Sequence, residues 1–375
     1  MTTTAERKRK SSRQTTGTLL NVAALKQVLA TVSHAVPKRS PKPILQNVLL
    51  AGGTVTGFNG ELRIEAAMPG LDCEPMLLPF ARLDAIVKTI TCNEVQISSD
   101  GTWCTVSTEA SNWRLPTESP AEYPTSEQRQ SPSITRLPSD QFARAVGGVA
   151  YAHDDESTRY ALSAVQIEVN DGIVVFVATD GRRVSAVQME HDLAVDDSKT
   201  MVPATALSVI SKIVGGSGKN AVQIDANSSE LIATTDAITV TASLVAGRFP
   251  GWRDSVKEYD TDPTAVLISE LLAATNAAAV CTSESSRGVD FQFTADGLRL
   301  YGKSSEAGES SVFCPVVEAG TPCSVKLDPK FVKQFLEGLP SDGEPTVSIQ
   351  CNKPGDPVQF RCDDFTGVIA PLNND

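Results

Sequence analysis

The stretch Arg159–Val184, RYALSAVQIEVNDGIVVFVATDGRRV, decides the fold class, because it predicts two β-strands joined by a tight turn. Val165, Ile167 and Val169 alternate with polar neighbours, and Ile173–Val177 is a run of β-branched and aromatic residues. The Asn-Asp-Gly between these runs is typical of a hairpin turn. The stretch therefore predicts an antiparallel β-hairpin.

The second strand of this hairpin ends in ATDGRR, residues 178–183. Asp-Gly is a turn-forming dipeptide, so we expect the strand to end there and to present Arg182 and Arg183 at the turn. Many hairpins contain such a turn, so its meaning depends on the rest of the chain.

The composition of the 375-residue chain is that of a globular protein of two or three domains, since 41% of its residues are hydrophobic. The formal net charge of −12 gives no overall attraction to nucleic acid. No apolar run approaches the roughly 18 residues of a membrane span. Residues 1–17 are polar and basic, which predicts a disordered N-terminal arm and no secretory signal. Contact of Arg7–Lys10 with nucleic acid or a partner is the alternative.

The eight cysteines form no C-x-x-C pair, and no histidine stands at metal-ligand spacing from them. We therefore expect buried free thiols in a reduced, cytoplasmic protein, with no metal or cofactor. The chain also lacks G-x-S-x-G, H-E-x-x-H and phosphate-loop motifs, so no catalytic residue is predicted. An enzyme would need titratable groups brought together from distant segments.

An internal repeat is the main organisational signal. Leu77–Ser98, Met201–Asp225 and Val325–Gln350 share a strand, a proline or aspartate, an amphipathic helix and a second strand. A period of about 120 residues is too long for a solenoid and predicts three domains of one fold. After the arm, the predicted domains are 18–131, 132–256 and 257–375.

Each unit is also predicted to contain an earlier helix. Apolar residues follow a helical stripe over Leu25–Val32, and further helices are predicted over Gln141–Ala152, with Ser139 or Asp140 as N-cap, and over Glu270–Val280. The strands predicted to follow these helices are Ile44–Leu50, Leu162–Val169 and Val289–Phe293.

The predicted helices carry mostly basic residues on their solvent faces, opposite to the charge of the whole chain. The basic residues are Lys26, Arg82, Lys88, Arg144, Lys212, Lys330 and Lys333, and the acidic ones are Asp84, Glu270 and Glu337. Lysine is a good helix former, so solvated helix faces explain the pattern as well as a surface facing a polyanion does.

Several segments resemble the bacterial sliding clamps, the β subunits of DNA polymerase III, in order and spacing over Leu19–Leu372. They are Pro43–Leu50, Arg159–Leu162, Ala178–Arg183, Gly247–Trp252, Arg287–Val289 and Val368–Leu372. The resemblance implies an α+β fold of three repeated clamp domains, each with two helices packed on antiparallel sheets. Two chains would join head to tail in a closed ring with the helices inside. The ring would encircle double-stranded DNA and confer processivity on the replicative DNA polymerase, without catalysis.

The resemblance also implies a hydrophobic pocket for short peptide motifs with leucine and phenylalanine side chains. Its partners would be the polymerase α subunit, the clamp loader, repair polymerases and mismatch-repair proteins. The pocket residues carried over are Leu162, Thr179, Gly181, Arg182, Arg183, Val184, Pro250, Val368, Ala370, Pro371 and Leu372. Ordinary core packing is the alternative for each apolar member, whereas Arg183 is less easily explained in that way. We expect Arg183→Ala with Pro371→Ala to weaken motif binding without opening the ring.

For DNA, the resemblance points to a basic loop and a central segment in addition to the helix cations. The DNA-binding candidates are Lys26, Lys38, Arg39, Lys42, Arg82, Lys88, Arg144, Arg159, Tyr160, Lys212, Lys330 and Lys333. The loop Lys38–Lys42 could equally serve solubility. The dimer interface carried over comprises Trp113 and Leu115 in the first domain and Val280 and Cys281 in the third.

Three departures from the family pattern leave the preferred peptide motif open: Asp254 with Ser255, Ala370, and the acidic tail Asn373–Asp375. A specialised clamp paralogue is therefore an alternative. A non-enzymatic β-repeat module that binds a ligand such as carbohydrate is another, although an aromatic content of 5% offers few residues for its binding face.

Overall fold

The structure is a computed structural model that describes residues 17–124, 131–154, 156, 160–191, 195–215, 220–283, 287–340 and 343–372. The predicted arm up to residue 16, Arg159 and the tail Asn373–Asp375 lie outside the described residues.

The helices are short and regular in length. In the described residues they are α1 Val22–Val32, α2 Phe80–Thr89, α3 Ser139–Val149, α4 Ala204–Gly215, α5 Ile268–Ala279 and α6 Pro329–Glu337. None of them is long and apolar enough to span a membrane.

The strands are short and numerous. They are β1 Thr18–Asn21, β2 Asn47–Ala51, β3 Thr54–Phe58, β4 Leu62–Ala67, β5 Met76–Pro79, β6 Glu94–Ser99, β7 Trp103–Ser107, β8 Asn112–Pro116, β9 Ser133–Pro138, β10 Ala164–Asn170, β11 Ile173–Thr179, β12 Arg183–Glu190, β13 Ser198–Pro203, β14 Ala221–Ala226, β15 Glu230–Thr234, β16 Ile238–Ser243, β17 Thr264–Leu267, β18 Val289–Thr294, β19 Gly297–Ser304, β20 Gly308–Cys314, β21 Cys323–Leu327, β22 Thr346–Gln350, β23 Val358–Cys362 and β24 Phe365–Ile369.

The chain forms two compact units. The first contains Met1–Arg129 with Asp236–Val240, and the second contains Gln130–Thr235 with Thr241–Asp375. In the first unit, β1-β6-β7-β8 form a four-stranded antiparallel sheet, and β5-β2-β3-β4 lie side by side in that order. Helices α1 and α2 contact each other and these strands.

The second unit contains an eight-stranded antiparallel sheet in the order β13-β10-β11-β12-β24-β23-β22-β17. A four-stranded sheet has the order β20-β19-β18-β21, and β14 pairs with both β9 and β15. Helix α3 packs on α4, and α5 packs on α6. Pairs of helices on antiparallel sheets, repeated three times, confirm the predicted α+β fold class.

The predicted strand–helix–strand repeat is also present. Its three copies are β5-α2-β6, β13-α4-β14 and β21-α6-β22. The exact boundaries of three domains and the closure of a ring by two chains remain predictions.

The predicted hairpin is formed by β10 and β11, with Asn170 paired to Ile173 across a two-residue turn. Asp171 and Gly172 have φ angles of 50° and 76°, the positive values that a type I′ turn requires. Gln166 and Glu168 of β10 are buried as well as its apolar residues, so β10 is covered on both faces up to the exposed Asn170.

The predicted N-cap of α3 at Ser139 or Asp140 is wrong. Pro138 holds the cap position, and its ring offers no side-chain acceptor. The Ser139 hydroxyl instead donates to the carbonyl of Asn220 at 2.6 Å. The predicted end of this helix is a separate short 3₁₀ turn, Ala150–Ala152.

Two predicted strands begin later than expected, because each is preceded by a 3₁₀ turn. Pro43–Gln46 forms the first turn, so β2 begins only at Asn47. Tyr160–Ser163 forms the second, so β10 begins at Ala164. Proline favours the first position of a helical turn because its φ is fixed and its missing N–H is not needed there.

The core of the second unit joins helices to the eight-stranded sheet. The rings of Phe142 on α3 and Phe176 on β11 meet edge to face, with 5.8 Å between their centroids. Gly148 on α3 lies so close to Phe365 on β24 that a Cβ atom there would be 2.3 Å from the ring. The helix can pack directly on β24 because this position has no side chain.

Candidate peptide pocket and nucleic-acid surface

The turn between β11 and β12 brings Thr179, Gly181 and Arg182 together. Gly181 has a φ of 87°, a conformation that favours glycine. The Asp180 carboxylate accepts the backbone N–H groups of Arg182 and Arg183 at 2.8 and 3.0 Å. The Thr179 hydroxyl donates to the Arg183 carbonyl at 2.6 Å. The turn is therefore fixed by its own side chains.

Strand pairing places the C-terminal segment beside this turn. Val184 on β12 lies opposite Val368 on β24. Beyond the strand, the N–H of Ala370 donates to the carbonyl of Arg182 at 2.8 Å. Predicted pocket residues nearly 200 positions apart are thus neighbours by register.

Val184 and Val368 belong to an apolar cluster on one face of the eight-stranded sheet, here called the outer face. Val175 and Val177 of β11 share this face, and Phe249 packs on the cluster. Val184 and Val368 are 7% and 2% exposed. Val184, Val368 and Phe249 therefore form one buried apolar cluster, and its role as part of a peptide site remains a prediction.

The remaining apolar candidates differ in exposure. Leu162 is buried, Pro250 is exposed, and Pro371 and Leu372 are half-buried. The N–H of Leu372 donates to the carbonyl of Lys326 at 2.8 Å, which ties the segment after β24 to β21. Pro250, Pro371 and Leu372 are accessible to a ligand.

Arg183 does not line the outer face, contrary to the prediction. Neighbouring residues of a strand point to opposite faces, and Val184 occupies the outer one. The Arg183 guanidinium is buried between two rings, 5.2 Å from the centroid of Tyr151 and 4.4 Å from that of Phe331. Its exposed neighbour Arg182 is the arginine presented at the turn.

The hydrogen-bond donors of Arg183 are satisfied by acceptors from three segments: the β11–β12 turn, α6 and the 3₁₀ turn after α3. The guanidinium donates to the Asp180 carboxylate at 2.9 Å, the Gln334 side-chain oxygen at 2.6 Å and the Tyr151 carbonyl at 2.7 Å. Burial raises the pKa of the Tyr151 hydroxyl, which stays neutral and donates to Ser185 at 3.0 Å. Arg183 therefore ties the β11–β12 turn to α6 and to the 3₁₀ turn Ala150–Ala152 that follows α3.

The segment Gly247–Val256, here called the connector, crosses the outer face. Gly247 has a φ of 137°, which favours glycine at its start. Phe249, Trp252 and Val256 of the connector pack on the outer-face cluster. The pocket prediction listed Pro250 in this segment and noted Asp254 and Ser255 as departures from the family pattern, but it did not include Phe249 or Trp252. The available signal was their spacing, since large apolar residues recur every three to four positions.

A cavity of about 470 Å³ opens beside the connector. Its apolar lining includes Met201, Phe249 and Trp252. Asp254, noted above as a departure from the resemblance, is exposed and lines the same cavity. The acid therefore changes the charge next to the apolar site.

Several predicted DNA-binding cations on the helices are already engaged within the chain. Their ion pairs are Lys88 with Asp84 at 2.6 Å, Arg144 with Asp364 at 2.9 Å and Lys333 with Glu337 at 3.7 Å. The ammonium of Lys26 donates to the Ile90 carbonyl at 2.8 Å. Each of these four cations therefore already has an ion-pair or hydrogen-bond partner within the chain.

Arg82, Lys212 and Lys330 are exposed, and none has an ion pair within the described ranges. They are here called the unpaired helix cations. They stand on α2, α4 and α6, the corresponding helix of each repeat. Of the central-segment candidates, Arg159 lies outside the described residues and Tyr160 is described by its backbone only.

The predicted DNA loop is ordered by hydrogen bonds that leave its cations in solvent. The Gln46 side-chain amide donates to the Lys38 carbonyl at 2.7 Å, and the Lys42 N–H donates to the Ser40 hydroxyl at 3.1 Å. The side chains of Lys38, Arg39 and Lys42 are exposed. This loop can present three cations to one surface.

The predicted interface residues lie at or near free sheet edges. Strand β8 ends the sheet of the first unit, and β20 ends the four-stranded sheet of the second. Trp113 is half-buried and Val280 is 74% exposed, whereas Cys281 is half-buried. Leu115 is a correction, because it is only 4% exposed and lies in the core of its own unit, paired with Cys104.

The cysteines are free in the described structure, but only Cys104, Cys314, Cys351 and Cys362 are buried. Burial raises the pKa of Cys104 to about 12 and that of Cys314 to about 11. Cys92 is exposed. The prediction of buried thiols therefore applies to part of the set.

Comparison with known proteins places this geometry in a family. The model of the DNA polymerase III β subunit N-terminal domain matches residues 19–127, and that of its central domain matches residues 136–251. The Beta sliding clamp of Chlamydia pneumoniae is 23% identical over 87% of this chain and 90% of its own length. That of Synechococcus elongatus is 24% identical over 92% of both chains. The crystallised sliding clamp of Pseudomonas aeruginosa bound to griselimycin has the same fold, with a TM-score of 0.88 at 22% identity over 96% of this chain and all of that one. The chain belongs to the DNA polymerase III β subunit family.

Proposed function

We propose that this protein is a sliding clamp, a ring-shaped homodimer that encircles double-stranded DNA and confers processivity on a replicative DNA polymerase. Family membership, matched in sequence over the N-terminal and central domains, carries this proposal. It favours a clamp over the alternative of a β-repeat ligand-binding module.

The charge distribution supports the proposal. In a head-to-tail ring with helices inside, the unpaired helix cations would face the DNA phosphates. Their attraction would be independent of sequence, and few contacts would let the ring slide. The net charge of −12 would keep the outside of the ring from adhering to DNA.

The proposal assigns the protein no catalysis of its own and a place in the bacterial cytoplasm, where replication occurs. It is tested by primer extension on a long single-stranded circle with the cognate polymerase and ATP-driven clamp loader. We expect product length per binding event to rise only when loader, ATP and clamp are all present. Equal product lengths without the clamp would contradict it.

We also propose that the outer-face site takes short peptide segments of replication and repair proteins, including the polymerase α subunit. The buried floor of Val184 and Val368, the Phe249 wall and the accessible Pro371 suit two apolar side chains of an extended peptide. The half-buried Ala370 leaves room where a larger residue is common in the family.

A fluorescein-labelled peptide with the sequence Leu-Ser-Leu-Phe tests this pocket, beside a control peptide with alanine in place of leucine and phenylalanine. We expect the first peptide alone to bind. Ala370→Glu should abolish binding because it places a charge on the apolar site. Ala295→Glu, the same change on the exposed β18–β19 turn, should leave binding unaltered. Equal binding by Ala370→Glu and Ala295→Glu would mean that the peptide binds at a different site.

A further inference from the structure

We propose that Glu168 is a positioning residue for peptide binding, because it anchors the connector whose Phe249 forms the wall of the pocket. The proposal rests on the peptide pocket proposed above. It concerns a residue of β10 that lies outside that pocket.

Glu168 is a buried acid surrounded by donors. It is only 5% exposed. Its carboxylate accepts a hydrogen bond from Trp252 Nε1 at 3.2 Å and forms an ion pair with Arg253, whose Nη1 lies 2.5 Å away; both residues are on the connector. On the sheet, Gln166 donates to it at 2.5 Å, and the Lys199 ammonium lies 3.9 Å away.

A carboxylate is costly to bury unless it is paired and hydrogen-bonded, and here two of its partners come from the connector. The connector therefore cannot leave the sheet without exposing or stranding this charge. Arg253 also stacks on Trp252, with 4.3 Å from the guanidinium to the ring centroid, so the two donors act together.

Two cavities adjoin this contact. One of about 440 Å³ and one of about 470 Å³ are both lined by Glu168, Lys199 and Arg253. Apolar packing attaches the connector through Phe249, Trp252 and Val256, and the polar contacts to Glu168 add a second attachment at Trp252 and Arg253.

The attachment reaches the pocket through the chain. Phe249 lies three residues before Trp252 in the chain and packs with Val184 and Val368 in one apolar cluster. If Trp252 and Arg253 are released, the ring of Phe249 loses its fixed position on the floor. Binding sites depend on such support, since side chains must be held close to the productive geometry.

The test compares Glu168→Gln with Glu190→Gln, an exposed acid on β12 of the same sheet. Glu168→Gln keeps an acceptor for Trp252 but loses the charge that pairs with Arg253. We expect the Kd of the labelled Leu-Ser-Leu-Phe peptide to rise at least about fivefold, the lower end of typical coupling between linked sites. Glu190→Gln should bind as the wild type does.

A second measurement monitors the environment of the connector in the absence of peptide. In 5-fluorotryptophan-labelled protein, the ¹⁹F resonance of Trp252 is assigned by its loss in Trp252→Phe. We expect Glu168→Gln to shift this resonance and to leave those of Trp103 and Trp113 in place. Arg253→Met, a change at a residue with a largely exposed side chain, should do the same and weaken the peptide similarly.

The double variant separates coupling from general loss of stability. If Glu168 acts through Arg253, Glu168→Gln with Arg253→Met should weaken the peptide no more than either change alone. Additive losses, an unmoved Trp252 resonance, or a moved resonance with unchanged peptide affinity would each overturn the proposal. Failure of the wild type to bind the peptide would instead refute the pocket, and the Trp252 resonance would still decide whether Glu168 anchors the connector.

Discussion

Replacing Arg183 by methionine removes a buried cation while keeping an unbranched side chain that can lie between Tyr151 and Phe331. The change leaves the Asp180 carboxylate, which is 15% exposed, without its ion-pair partner. It also leaves the Gln334 oxygen and the Tyr151 carbonyl without a donor. We therefore expect a large loss of stability in the second unit.

The magnitude follows from the loss of one member of a buried ion pair. Such losses cost about 3–5 kcal/mol, and the partial exposure of Asp180 favours the lower value. In a unit of this size each kcal/mol lowers Tm by about 2–4 °C, so Arg183→Met should lower it by roughly 6–12 °C. Thermal unfolding followed by circular dichroism, at a fixed protomer concentration, measures the shift.

Arg182→Met is the matched control, since it makes the same change at the exposed neighbouring position. We expect its Tm to stay within about 2 °C of the wild type, as is usual for surface changes. If the two variants melt at the same temperature, the buried network of Arg183 contributes nothing and its assignment as a support beneath the turn is wrong.

Three further predictions concern the ring and its thiols. Exchanging the unpaired helix cations for glutamine should flatten the plot of log K against log salt by about 0.9 for each lost phosphate contact, and an unchanged slope would remove them from the DNA surface. Val280→Asp should shift sedimentation from dimer to monomer, since it would bury an unpaired charge in the interface, and an intact dimer would exclude Val280 from that interface. At pH 8, a thiol reagent should modify Cys92 first and leave Cys104 unmodified in the folded protein, because a pKa raised to about 12 keeps that thiol protonated. Modification of Cys104 at the rate of Cys92 would contradict its burial.

Local signals in the sequence were sufficient for the hairpin and for the repeated strand–helix–strand pattern, but not for every boundary. Asn170-Asp171-Gly172 predicted the hairpin because a two-residue turn with positive φ selects such residues. The repeat was visible because each copy must bury one helix face on a sheet, which imposes the same apolar spacing. The prediction of the α3 N-cap failed because the Ser139 hydroxyl donates a hydrogen bond to the carbonyl of Asn220. This partner is 81 positions away, and no local pattern reveals it.

Long-range contacts explain the errors in the site. Arg183 stands next to a turn, where arginine is ordinarily exposed, but its partner Gln334 is 151 positions away. The helix pairs Lys88–Asp84 and Lys333–Glu337 have i, i+4 spacing and could have been read from the sequence. The ion pair Arg144–Asp364 could not be read in this way, because its residues are 220 positions apart. Glu168 was missed because polar residues that alternate along a strand indicate a solvated face, whereas here Trp252 and Arg253 of the connector contact the buried carboxylate.

The central claim is that the protein holds DNA by topology, and retention on plasmid DNA tests it most directly. The protein is loaded onto nicked circular plasmid with the cognate loader and ATP, and free protein is then removed by gel filtration. Half of the sample is linearised with a restriction enzyme. We expect retention on the circles and loss from the linear molecules, since a ring slides off free ends. Equal retention on both forms would mean ordinary DNA binding and would contradict the clamp.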